Sequence, residues 1–341
     1  MSGRISNQLQ IYKSVEKNFI NYPKYLIDWY FHLKANDISA TTCKDYINKI
    51  IRFLESISTN WNDIIPANIS VDNVIQYFIN IKVKKDTDGN VIGETSYSYR
   101  QSVWSCFNNF FEYLYNNNWT NDNIFKKANI KRPKNNDLQR INQKRILLSK
   151  DDFKNILKAV EDGVGSKKSR AYQKRFHNRD KSIMLIFMTT GIRETALREI
   201  DVDDINLETG ELTVVDKRHK FHTYTLDLKT VGVIKDWLID RYFILGGIKH
   251  DALFISRDQN RISSNSIAEL VDKYASAALG YHISPHKLRS GLASILYNEK
   301  RDIEYVRRVI GHSSSTTTQR YIVTDNKERE EAANLITQMI M

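Results

Sequence analysis

His286 and Arg289 stand three residues apart, Gly311-His312-Ser313 follows, and Tyr321 closes the series. Upstream, Thr190-Gly191-Ile192-Arg193 offers another arginine, and Lys217 lies in a basic run between two apolar stretches. These residue types suit one reaction. Attack on a phosphodiester builds charge on the nonbridging oxygens, which forked guanidinium groups hold bidentately. Arg193 and Arg289 would form that clamp, with His312 as a further donor. A tyrosine hydroxyl, with a pKa of about 10, is a poor nucleophile until its proton is taken or its anion stabilised. The cations supply the field, and His286 is the natural proton acceptor. The leaving 5′-oxygen needs a proton, which a lysine at a hairpin tip can deliver. Positioned side chains can provide the electrostatic stabilisation themselves, so the expectation is a reaction without metal or other cofactor. The sequence carries no HExxH or paired-cysteine pattern.

Taken singly, each residue has an ordinary explanation. Gly311 suits the end of a helix, His312 could cap it, and Tyr321 is one of 18 tyrosines. His286 and Arg289 at i and i+3 could be a solvated pair on a helix opened by Ser284 and Pro285. Their order, and one mechanism that uses all of them, carries the reading.

The elements that must position these groups follow from periodicity. To about residue 125 the chain reads as a helical bundle. Pro23 starts a helix with Leu26, Trp29, Tyr30 and Leu33 inward; Ser39 and Ser70 cap two more; Thr95 or Ser96 opens a long fourth with an aromatic stripe. Residues 82–94, with Asp88-Gly89, read as a loop. Residues 126–147 form a basic linker in which Pro133 opposes a continuous helix. Its Lys126, Lys127, Lys131, Arg132, Lys134, Arg140, Lys144 and Arg145 are either solvated or laid along a DNA backbone. A second basic cluster, from Lys167 to Arg179, has the same two readings.

The second domain, 148–325, opens with a capping-box-like Ser149 to Asp152 before Phe153, Ile156 and Val160. A buried helix around Ile183 to Met188 ends at Gly191. Leu212 to Val215 and Thr223 to Leu228 alternate as a hairpin with Lys217 to Lys220 at its turn, and Leu253 to Ile255 suggests a third short strand. Helices resume from Ser264, from Ser284-Pro285, over Asp302 to Ile310 and near Tyr321. Residues 326–341 make a last amphipathic helix. The fold class is mainly α with a small antiparallel β-sheet: a helical bundle plus an α+β domain.

Length and composition agree. The 341 residues allow two domains, and 41% hydrophobic with 27% charged residues is ordinary for a soluble protein. Lys and Arg number 51 against 40 Asp and Glu, a net +11 that points to a polyanion, with nucleic acid first. Cys43 and Cys106 are too few for a disulfide framework, which points to a reducing cytoplasm. No apolar run approaches signal-peptide or membrane-span length, so no membrane partner is expected.

From Ser284 to Tyr321 the motifs Ser-Pro-His-Lys-Leu-Arg and Gly-His-Ser-Ser-Ser-Thr-Thr-Thr-Gln-Arg-Tyr resemble the tyrosine recombinases, the family of lambda-type integrases and Xer recombinases. The spacings agree: 24 residues from Arg193 to Lys217, 23 from Arg289 to His312 and 9 from His312 to Tyr321. The resemblance runs from about Leu147 to Asp325 by motif, and over the N-terminal bundle by general pattern only. It implies a SAM-like core-binding domain and a catalytic domain that grip opposite faces of duplex DNA. Tyr321 would form a 3′-phosphotyrosine link, with Arg193, Arg289 and His312 on the phosphate. His286 would assist proton transfer and Lys217 would be the general acid, with Lys220 its rival. A homotetramer would synapse two inverted-repeat core sites, with the C-terminal helix exchanged between protomers or folded back in cis. A directionality or accessory factor is a further implied partner. Ala196 departs from the pattern, standing where an acidic residue commonly supports the first arginine; Glu194 and Glu199 are the acidic neighbours left for that task. The hairpin turn, Asp216 to Lys220, also lacks the usual glycines.

The expected activity is metal- and ATP-independent strand cleavage and rejoining. Its expected setting is a bacterial or phage-encoded mobile element, on the weak ground of abundant Asn, Ile and Lys. Alternatives are Xer-like dimer resolution, a type IB topoisomerase or telomere resolvase, and a catalytically silent DNA-binding relative. Only about 20 residues precede the first core-like helix, too few for a separate arm-binding domain.

Overall fold

A computed structural model describes residues 3–134, 148–215 and 221–311. These form two compact units, one on each side of the 135–147 segment. The first unit is a bundle of α1 (Gly3–Glu16), α2 (Lys24–Ala35), α3 (Ala40–Ile57), α4 (Val71–Asn80), α5 (Tyr97–Asn116) and α6 (Ile124–Ala128). Ser39, Ser70 and Ser96 cap α3, α4 and α5 through their side chains, as expected from their positions. The aromatic stripe of α5 is core. Phe107, Phe110 and Phe111 are fully buried among Trp29, Phe53 and Phe125, with edge-on rings dominating.

Three features of this unit differ from the sequence reading. α1 is a helix despite its weak apolar periodicity. It packs on α3, with Val15 buried and the Glu16 carboxylate accepting from Tyr30 and Lys34. Residues 82–94 contain a short hairpin, β1 (Val83–Lys85) with β2 (Val91–Glu94). Its strands are too exposed to alternate, and Asp86 forms its turn by accepting from the amides of Asp88 and Asn90 at 3.0 and 2.8 Å. The basic stretch also begins inside the bundle. α6 carries Lys126 and Lys127, while Phe125 and Ile130 pack on the core and Trp104 donates to the Ile130 carbonyl at 2.8 Å.

The second unit is built on α9. In chain order it contains α7 (Lys150–Asp162), α8 (Lys167–Lys174), α9 (His177–Thr190), α10 (Glu194–Arg198), β3 (Glu211–Val215), β4 (Phe221–Thr225), α11 (Leu228–Leu245), α12 (Ser264–Leu279), α13 (Pro285–Lys300) and α14 (Ile303–Ile310). The capping box at Ser149 is present in both directions, with Asp152 as its partner. β3 and β4 pair antiparallel in continuous register, and Leu212, Val214 and Tyr224 face inward. Leu253 to Ile255 does not form a strand. Its flanks make isolated bridges, and the Leu253 carbonyl accepts instead from Trp237 of α11 at 2.9 Å.

α9 packs against α7, α11 and α13, which is why it is buried nearly all round. Its first turn buries Asp180. That carboxylate accepts from Arg179 at 2.7 Å, from the Tyr274 hydroxyl at 2.8 Å and from Lys273 at 3.3 Å, tying α9 to α12. Removing the acid leaves the buried Tyr274 hydroxyl and the mostly buried Arg179 guanidinium without their shared acceptor. Asp180→Ala is expected to cost about 3–5 kcal/mol in urea unfolding, whereas Asp151→Ala, at an exposed position, shifts it by under about 0.5 kcal/mol.

Candidate active site

The site begins where α9 stops. Gly191 takes the left-handed conformation, φ +61°, and closes the helix by donating its backbone N–H to the Phe187 carbonyl. The Thr190 hydroxyl secures the turn by accepting from the Ile192 amide at 3.1 Å. An added Cβ at Gly191 would lie 3.1 Å from Leu292 and 3.2 Å from Ile310, so a side chain is excluded by both conformation and space. Ile192 anchors in the core and Arg193 follows at the N-cap of α10, half-buried.

α13 supplies the second arginine. Ser284 occupies its N-cap without a side-chain bond, and Pro285 sits at the first position with its ring buried. Leu288 and Leu292 anchor the helix, while Arg289 is only 3% exposed. A buried guanidinium requires donors placed on acceptors. Nη1 donates to the Gly191 carbonyl, and Arg289 also shares a hydrogen bond with the Tyr224 hydroxyl of β4. One buried cation therefore joins α13, the end of α9 and the β3–β4 hairpin.

Histidines sense this field. His286 is exposed by area, yet its pKa is lowered, first by partial desolvation and then by Arg289, Lys287 and Arg193. It is therefore neutral at pH 7 and able to accept a proton. His222 of β4 is lowered in the same way, by burial and then by Arg289 and Arg193. Tyr224 is raised by its burial, against the opposing pull of Arg289.

The phage integrase family model matches residues 147–328, more than half of the chain. The chain belongs to the phage integrase family. This family member is 31% identical over 147 residues to tyrosine recombinase XerC of Pseudomonas putida, covering 43% of this chain and 48% of that one. It is 35% identical over 163 residues to tyrosine recombinase XerC of Caldanaerobacter subterraneus subsp. tengcongensis, covering 47% and 45%. The chain thus spans about half the length of the curated relatives it matches. Its fold is similar to a XerH site-specific recombinase bound to difH substrate, with TM-score 0.61, 19% identity, and 86% of this chain and 78% of that one covered. It is also similar to a lambda integrase dimer bound to a COC' core site, with TM-score 0.60, 18% identity, and 90% and 79% covered.

Of the residues expected at the site, the structure brings Arg193, His286 and Arg289 together. Lys217, Lys220, His312 and Tyr321 lie outside the described residues, although Gly311, φ +67° at the end of α14, is the residue just before His312. Ala196 is buried, and Glu199 pairs with Arg198 at 3.1 Å. Of the basic stretch, Lys126, Lys127, Lys131, Arg132 and Lys134 are exposed. Lys126 pairs with Glu112 at 3.3 Å and Lys127 with Asp122 at 2.5 Å, while Arg132 lies 5.7 Å over the Trp104 ring. Arg140, Lys144 and Arg145 fall outside the described residues. Sequence reasoning missed His222. The available signal was its place two residues before inward-facing Tyr224, on the same face of a strand.

Gly191→Ala is expected to lose about 1–3 kcal/mol in chemical denaturation, because φ and both side-chain contacts oppose it. In an NMR titration His286 should protonate below its ordinary value of about 6.5, and Arg289→Ala should move the midpoint upward. The sign follows from the depressed value. At pH above about 6.5 the shift costs no stability, and stability declines as pH falls from there through the folded-state pKa.

Proposed function

We propose that this chain is a site-specific DNA recombinase that cleaves and rejoins duplex DNA through a covalent 3′-phosphotyrosine intermediate. The carrying observation is the Arg289 guanidinium, buried against the turn that delivers Arg193, with a neutral histidine beside it. Two fixed guanidinium groups in a partly desolvated pocket suit the negative charge of a phosphodiester under attack. The Tyr321 oxygen bonds to phosphorus and its proton passes to His286. The bond from phosphorus to the 5′-oxygen breaks, and Lys217 protonates that oxygen. Rejoining reverses these steps: a 5′-hydroxyl attacks phosphorus and releases the tyrosine. The ester keeps the bond energy, so ATP is not needed. His312 adds a donor to the phosphate.

The substrate is double-stranded DNA with inverted-repeat core sites, synapsed by a homotetramer, with an accessory factor where direction is controlled. The exposed cations from Lys126 to Lys134, continuing through Arg140 to Arg145, neutralise backbone phosphates. Likeness to lambda integrase and to XerC leaves two biological settings. Integration and excision of a mobile element is preferred on the Asn-, Ile- and Lys-rich composition, and dimer resolution is the second reading, favoured by the XerC relatives.

A nicked suicide duplex tests the chemistry. Wild type is expected to form a protein–DNA adduct stable to denaturant, and Tyr321→Phe none. Arg289→Ala should slow adduct formation by roughly 10²–10³-fold. An adduct in the Phe variant would move the nucleophile elsewhere, and sequence-specific binding without any wild-type adduct would indicate a silent DNA-binding relative.

A further inference from the structure

His222 occupies a position that no expected site residue explains. It lies on β4 opposite Val214, on the same strand face as Tyr224, and is half-buried. Its ring meets the Tyr224 ring edge-on, with centroids 4.4 Å apart at 72°. Tyr224 in turn shares its hydroxyl with Arg289. On its other side the imidazole faces Gly311. A Cβ added there would stand 3.0 Å from both Cε1 and Nε2 of His222. Asparagine also tolerates the left-handed conformation at a helix end, but its Cβ would cover this ring edge. Glycine at 311 both turns the chain and places no side chain against the Nε2 edge of the ring.

We propose that His222 belongs to the phosphate pocket: clasped between Tyr224 and Gly311, its imidazole binds the same phosphodiester as Arg193 and Arg289. This rests on the recombinase reading for the identity of the ligand. Among the described residues, the groups facing His222 are Tyr224 from its own strand, Arg289 from α13, Arg193 from the turn after α9, and the end of α14 at Gly311. Among these the charges are both positive. Without an anion, burial and then these two charges oppose a third cation, so the neutral ring, with one N–H, is favoured. A bound phosphodiester offsets the arginines and allows the imidazole to take up a proton, making its hydrogen bond charge-assisted on both sides.

Two measurements test this. In the first, inorganic phosphate is titrated into the full chain while imidazole resonances are followed by NMR, with His222 assigned by its loss in His222→Gln. The His222 protonation midpoint is expected to rise with phosphate; a midpoint that stays put as phosphate reaches saturation would overturn the proposal. In the second, adduct formation is timed at saturating nicked duplex from pH 5.5 to 8.5. His222→Phe keeps a ring against Tyr224 and Gly311 but has no donor, and is expected to be about 10- to 100-fold slower, the size of one hydrogen bond to a charged group. His222→Gln restores a donor and should recover most of that loss, at an unchanged melting temperature in both variants. A Phe variant as fast as wild type reduces His222 to packing and overturns the assignment. If wild type forms no adduct, the recombinase reading fails, and the phosphate titration still decides the role of His222.

Discussion

A cation that water cannot reach must be held by the protein, and the second unit is arranged around one such cation. Arg289 gives up its hydration and in return donates to the Gly191 carbonyl and bonds the Tyr224 hydroxyl. Bonds to fixed acceptors offset desolvation while leaving the positive charge in place. Burial first, and this charge after it, lowers the pKa of His286 and His222. A pocket with permanent guanidinium charge and uncharged imidazoles attracts an anion and retains groups able to take up a proton.

α9 transmits the rigidity this requires. Its 14 residues span about 20 Å. One end is pinned by the buried Asp180 carboxylate to Tyr274 and Lys273, and the other ends in the Gly191 turn that receives Arg289. This also separates two features that look alike in the sequence. The basic cluster on α8 precedes the Asp180 end of α9, whereas Arg193 follows its Gly191 end. Charge density along the chain says nothing of which end of a helix faces the substrate.

Much of the architecture was legible. Caps at Ser39, Ser70, Ser96 and Ser149 marked helix starts because their side chains accept hydrogen bonds from backbone N–H groups three residues on. The β3–β4 alternation showed because one face is buried. α1 and the β1–β2 hairpin were missed because neither has an apolar pattern of its own. α11 was missed because its 18-residue helix is apolar on more than one face, with Trp237 and Ile244 inward and Tyr242 and Phe243 exposed. Leu253 to Ile255 looked like a strand because a buried apolar run reads the same in either state.

The sequence by itself determined the family, because residue types and their spacing require no coordinates. Tertiary structure alone decided which groups meet. His222 is far in sequence from Arg193, Arg289 and Gly311, and has no motif of its own. It joins them only because strand pairing turns it inward and a side-chain-free position opposite leaves room for the ring. Local sequence encodes bonds between near neighbours, whereas the burial of a charge depends on surfaces contributed by distant segments, and these exist only once the chain has folded.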